Sequence, residues 1–250
     1  MAKRNSSTDF YNEKRAKLRN EFFFTYRSPK KDTTRIFLKK IVNHLKPGGK
    51  ILDIGTGNGF VAKNIALLCR DKNIKLYGVD ISAEMVKIAK KETSKFKNIK
   101  ILRADNFSLP FKEKYFDIVT NKVVTNFSAK EVYRVLKEEG WFIFKEYGKW
   151  KGLKEITSLF PERVIRAYSP LKYIKELYNS GFKNIYLDQF IIPMKYTYQE
   201  IVTILNIAPI IEDFSEKDAK TLESILFNKN KERIIYSDPF IIQAFKAKLK

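Results

Sequence analysis

One cysteine and one histidine in 250 residues leave little room for the chemistries that depend on those side chains. Cys69 has no partner for an internal disulfide, and with His44 alone it cannot supply the ligands of a structural zinc site. No metal is therefore expected. Long apolar runs are missing too, since none approaches the ~18 consecutive apolar residues of a membrane span. The basic start "MAKRNSSTDFYNEKRAKLRN" leads into no apolar segment, so a soluble, cytoplasmic chain is expected. Acidic residues are scarce: 28 Asp and Glu against 49 Lys and Arg give a formal net charge of +21.

That excess would attract phosphates or an acidic protein. The cations are mostly lysines spread along "KRAKLR", "KIAKKETSKFKNIK" and "FKAKLK". This spread reads as a solvated surface, with a nucleic-acid partner left open. What is abundant is apolar and aromatic material, 44% and 14% of the chain, enough to bury one sizeable core. The expected organisation is one domain over residues 1–250. Its additions are a basic, aromatic N-terminal lid segment at 1–31, containing "FFFTY", and a helical insertion at 197–230.

Short β-type runs alternate with segments of helical spacing, the pattern of an α/β fold on a mostly parallel sheet. Seven strands are predicted, at "KILDIG", "IKLYGVD", "IKILRA", "FDIVTN", "GWFIFKEY", "FKNIYLDQFII" and "DPFIIQAFKAK". Helices are expected to open at Asp32, at Ser82 with Glu84 in its first turn, and at Ser128 with Glu131 completing a capping box. The Ser128 helix should end at Gly140. Another should run from Ser169 and Pro170 to Gly181, and capping boxes at Thr197/Glu200 and Ser215/Asp218 mark the insertion.

The most informative stretch is "GKILDIGTGNGF", residues 49–60, in which Gly55, Gly57 and Gly59 follow an apolar strand and precede a helix. Such a turn sets backbone N–H groups and a helix N-terminus beneath a nucleotide-like ligand, and glycines let the ligand touch the main chain. Phe60 stands where the dinucleotide fingerprint has its third glycine, and Asp53 lies inside the strand. A pyrophosphate gains nothing from that carboxylate. A cationic amino group or sulfonium would, held directly or through water.

"LDIGTGNG" resembles motif I of the class I S-adenosylmethionine-dependent methyltransferases, and the elements that follow come in that family's order. The resemblance covers residues 35–192 and the last strand, and it implies a Rossmann-like seven-stranded sheet whose last strand is antiparallel. It also implies S-adenosylmethionine as cofactor, leaving S-adenosylhomocysteine. The implied cofactor-binding set is Asp53, Gly55, Thr56, Gly57, Asn58 and Gly59, then Asp80 and Ile81, then Ala104, Asp105 and Asn106, and finally Thr120 and Asn121. In it Asp80 accepts from the ribose hydroxyls, Asp105 and Asn106 meet the adenine, and Thr120 and Asn121 line the methionine end.

The phrase "ADNFSLPF" is closest to the small-molecule branch, which implies methyl transfer to a small acceptor by in-line displacement. An acceptor proton would need a base, and topology puts Asn121, Glu146 and Tyr147 at the open strand ends. Asp117 reads instead as fixing the start of its strand, His44 as a helix-packing residue at the far end of the sheet, and Cys69 as a small buried hydrophobe. "TNKVVTNF" lacks the Pro-Pro-aromatic run of the DNA amino-methyltransferases. The readings left open are an enzyme acting on RNA or an acidic carrier protein, and an adenosine-binding module or nicotinamide dehydrogenase.

Overall fold

The computed structural model describes residues 14–18, 33–124, 126–165, 168–228 and 231–248. The Asp32 cap and the "FFFTY" segment lie outside them; residues 14–18 are helical. The common layers begin with α1 (Thr33–Asn43), β1 (Lys50–Ile54), α2 (Phe60–Leu68), β2 (Lys75–Asp80), α3 (Ala83–Thr93), β3 (Ile99–Arg103) and β4 (Phe116–Lys122). They continue through α4 (Ala129–Val135), β5 (Leu136–Tyr147), α5 (Lys154–Leu159), α6 (Pro170–Asn179) and β6 (Lys183–Gln189). The remainder is β7 (Ile192–Thr197), α7 (Tyr198–Ile207), α8 (Glu216–Leu222), β8 (Glu232–Ser237) and β9 (Pro239–Phe245).

The main sheet has seven strands in the order β3-β2-β1-β4-β5-β9-β6, and β9 runs antiparallel to both β5 and β6. Its central strands bury side chains on both faces because both faces are covered. On one face Phe116, Phe127, Phe142, Phe144, Tyr173 and Phe240 share a core with Val132, Leu136 and Leu177. On the other, Phe37, Ile41, Ile65, Ile118, Ile143 and Ile241 do the same. A fully buried aromatic of this kind contributes about 2–3 kcal/mol.

Local chemistry fixes most boundaries as expected. Ser82 caps α3 by accepting from the Met85 N–H, and both halves of the capping boxes at Thr197/Glu200 and Ser215/Asp218 form. At α4 only half a box forms: Ser128 accepts from the Glu131 N–H, while the Glu131 carboxylate holds Arg134 and the Leu109 N–H. Ser169 precedes Pro170 at the start of α6 without a side-chain cap bond.

Two expectations need correction. Helix α4 stops at Val135, because Leu136 already pairs with Phe116 across the sheet. Gly140 is therefore no terminator; a Cβ there would stand 2.8 Å from the Lys137 carbonyl and 3.1 Å from that of Asp117. The run "FKNIYLDQFII" is not one strand, since it breaks after Gln189 and Ile192 starts a new one. The insertion expected at 197–230 does carry helices. Its helices α7 and α8 are flanked by β7 and β8, which form a separate two-stranded antiparallel sheet. Leu153, Ile156, Ile201, Leu205, Leu222, Phe227 and Ile235 give this region its own core.

Candidate functional site

Strand order reverses between β1, whose far neighbour is β2, and β4. Helices leave these two strands in opposite directions, which opens a crevice at their carboxyl ends. The residues marked by the sequence converge there: the β1–α2 turn, Asp80 at the end of β2, Ala104 to Asn106 after β3, and Asn121 at the end of β4.

Asp53 lies at the base of the crevice, 1% exposed, in register with Gly78 on one side and Thr120 on the other. Its Oδ2 accepts from the Thr56 hydroxyl at 2.7 Å, and its Oδ1 has no hydrogen-bond partner among the described residues. Burial pushes this carboxyl up to about 7, against the pull of the Thr56 hydroxyl and the Lys122 ammonium. Gly78 makes room for the arrangement, since a Cβ on it would stand 2.8 Å from the Thr56 Oγ1.

Asp80 ties the crevice together. Its Oδ2 accepts from the Gly57 N–H at 2.9 Å and its Oδ1 from the Ser82 N–H at 3.0 Å. A carboxylate offers about four acceptor positions. Two backbone N–H groups are therefore compatible with further acceptance from hydroxyls. Ile81 follows at the rim, half-buried, and its carbonyl accepts from Arg103. The Asp80 carbonyl in turn accepts from the Ala104 N–H. Asp105 is exposed, with its Oδ1 accepting from the Phe107 N–H, while the Asn106 side chain donates to the Asn126 carbonyl.

The glycines have a different explanation from the one the sequence suggests. Gly55, Gly57 and Gly59 all have positive φ, at 63°, 56° and 78°. At two of them the protein itself fills the space: a Cβ on Gly55 would meet Val124, and one on Gly59 would stand 2.9 Å from the Thr93 Cγ2. The turn's own N–H groups are also occupied, Thr56 donating to Val79, Gly57 to Asp80 and Gly59 to Thr56. The Asn58 Oδ1 accepts from the Phe60 N–H at 3.3 Å, and α2 starts without a side-chain cap bond.

The β4 and β5 candidates separate. The Thr120 hydroxyl is fully buried and donates to the Ile143 carbonyl, so it serves the sheet. The Asn121 side chain closes the next turn, accepting from the Val124 N–H and donating to its carbonyl. Glu146 is 1% exposed on the face that carries Phe144, close enough to Tyr173 to raise that phenol further above its burial-shifted value. Tyr147 points to the opposite face, its ring 4.6 Å from the Lys145 ammonium.

Residues outside the crevice fall where their chemistry suggests. Asp117 accepts from the Lys50 N–H and pairs with Lys137, pinning the start of β4. His44 stacks on Trp141 at 4.0 Å and meets the Gln243 side chain. Cys69 is buried. No cluster of three or more metal-ligating side chains occurs among the described residues. Sequence reasoning passed over Lys122, Val124 and Gly78; a cation directly after strand 4 was the visible signal for the first.

A crevice with a buried, half-satisfied carboxylate at its base and a second acid at the neighbouring strand end fits a nucleoside that carries positive charge. The fold and this edge define a class I S-adenosylmethionine-type α/β protein. Residues 52–144 match the family model described as "Methyltransferase domain". Among curated proteins, the chain is 32% identical over 191 residues to the ubiquinone/menaquinone biosynthesis C-methyltransferase UbiE of Rickettsia massiliae, covering 71% of this chain and 68% of that one. It is 38% identical over 126 residues to UbiE of Rickettsia akari, covering 46% and 50%. The matched region thus spans about half the length of the first relatives. Among solved structures it is similar to YcgJ of Bacillus subtilis, with a TM-score of 0.61 at 19% identity over 86% of this chain and 100% of that one. It is also similar to phosphoethanolamine N-methyltransferase 2 of Haemonchus contortus, with a TM-score of 0.64 at 20% identity over 97% and 60%. The chain belongs to the class I S-adenosylmethionine-dependent methyltransferase family.

Proposed function

We propose that this protein transfers a methyl group from S-adenosylmethionine to a small-molecule acceptor. The observation that carries the reading is Asp53, a buried carboxylate with one oxygen unmet, at the switch point of the sheet. In this reading Asp53 holds the cofactor's ammonium, directly or through water, and Asp80 accepts from the ribose hydroxyls. Ile81, Ala104, Asp105 and Asn106 surround the adenine. The loop after β4, shaped by Asn121 and pressed on Gly55 by Val124, bounds the methionine end.

When bound, S-adenosylmethionine supplies a methyl on a positively charged sulfur. The chain's part is alignment of that methyl with the acceptor and exclusion of water. The relatives named for quinone biosynthesis support a small acceptor. A single cysteine suits a reducing compartment such as the cytoplasm. The test is calorimetry with S-adenosylmethionine and S-adenosylhomocysteine: both should bind, and a chain that binds neither, or prefers NAD, ends this reading.

The net charge of +21 favours a second reading, with RNA or an acidic carrier protein as acceptor. A salt series separates the two. Retained RNA binding near physiological ionic strength, with a steep salt slope, would support the second reading.

A further inference from the structure

The outer face of the β7·β8 sheet, which points away from the insertion's core, mixes apolar side chains with the Lys195–Glu232 pair. Pro193 pairs with Tyr236 and Lys195 with Ile234 on that face, while strand alternation sends Ile235 and Ser237 inward. Ile234 is 57% exposed, Tyr236 41%, and Ile191, in the turn before β7, 61%. The Lys154 ammonium lies 4.7 Å from the Trp150 ring centroid and 5.9 Å from that of Tyr236, so both aromatics share this surface with an exposed cation. Lys149, next to Trp150, is exposed as well. The neighbouring acids are engaged: Glu155 accepts from the Tyr236 N–H, Asp238 from those of Trp150 and Gly152, and Glu232 pairs with Lys195.

We propose that this face docks on an anionic lipid surface. Aliphatic side chains, amphipathic aromatics and lysines together are the composition of the bilayer interface, and the chain's charge of +21 complements acidic headgroups. A second copy of this chain is disfavoured, because the exposed lysines here, Lys149 and Lys154, would meet their own charge across a two-fold interface. Ile191 and Ile234 offer nothing to RNA, which selects stacking rings and phosphate-binding cations. β6 ends and β9 begins level with Tyr147, so the segment carrying β7 and β8 leaves and rejoins the main sheet at the edge that carries the crevice. Docking there holds the lipid surface against the appendage that joins the sheet at that edge, whatever chemistry the crevice performs.

The experiment is co-sedimentation with vesicles of phosphatidylcholine mixed with phosphatidylglycerol, and with phosphatidylcholine alone, at physiological salt. Wild type should pellet with the mixed vesicles and not with the neutral ones. The double variant Ile234→Ser/Tyr236→Ser should lose at least about tenfold in binding, and Lys149→Glu/Lys154→Glu should lose binding in the same direction. S-adenosylhomocysteine affinity should be unchanged in both, which separates failure of docking from failure of the cofactor site. If the double serine variant does not fold, Ile191→Ser, in a turn, takes its place. Equal pelleting of the serine variant, absence of pelleting by wild type, or a self-association that the serine variant abolishes would each overturn the proposal.

Discussion

The Cγ2 of Val124 lies 2.1 Å from where a Cβ on Gly55 would stand. Two loops from different strands are thus packed backbone to side chain at the centre of the crevice, and the glycine is required by the protein before any ligand arrives. Gly55→Ala should cost at least ~2 kcal/mol, from the overlap and from the φ of 63°. Val124→Ala in the same chain should restore the part due to overlap and leave the part due to φ. Urea denaturation of the two single variants and the double variant reads this directly.

Asp53 should make stability depend on pH. Its folded carboxyl holds its proton up to about 7, whereas in the unfolded chain the proton leaves near 3.8. Between those values the folded protein binds more protons, so this group's contribution to stability falls as pH rises, by up to ~1.4 kcal/mol per pH unit, and levels off above about 7. Melting curves from pH 4 to 8 should show that slope in wild type and lack it in Asp53→Asn.

The same carboxyl links pH to the cofactor. A bound ammonium favours ionised Asp53, so affinity for S-adenosylhomocysteine should rise from pH 6 to pH 7.5 by roughly two- to fourfold in wild type, from a shift of about half to one pKa unit. Asp53→Asn should bind more weakly and follow pH less. Parallel slopes in the two proteins would remove Asp53 from the site.

Asp80→Asn replaces a group that accepts at both oxygens with one that accepts at one. The Gly57 or Ser82 N–H then loses its partner, along with a charge-assisted bond to ribose. S-adenosylhomocysteine affinity should fall tenfold to hundredfold, about 1.5–3 kcal/mol. Calorimetry checks it, and unaltered affinity would rule out the ribose role.

Glu146→Gln tests a residue that topology alone nominates as a base. Its carboxylate accepts from the Tyr147 N–H and lies buried on the Tyr173 side of β5, away from Tyr147 and Lys145. The expected result is a lower melting temperature, by about 1–3 kcal/mol of stability, with S-adenosylhomocysteine affinity intact.

The crevice edge was legible because Asp53 and Asp80 directly follow apolar residues and Asp105 lies just past another such strand, so spacing alone puts the three acids near the ends of β1, β2 and β3. The insertion was less so. "IPMKYT" carries a Pro at its second position and merges with the strand before it, and "ERIIYS" shows only two adjacent aliphatics in a charged stretch, so neither β7 nor β8 stands out locally. They form because each pairs with the other across the intervening α7 and α8, a non-local interaction that periodicity does not carry. The end of α4 at Val135 has the same cause, pairing of Leu136 with Phe116, and the seat of Val124 against Gly55 is visible only once both loops are placed.

The reversed direction of β9 has an evolutionary reading. A strand entering the sheet from the crevice side lets whatever precedes it start and finish on that side, so residues 190–238 form a hairpin-like slot rather than a crossover. Lengthening such a slot costs little, roughly 0.6 kcal/mol per doubling. Selection can therefore exchange the whole appendage while the half of the molecule that carries the crevice is inherited unchanged.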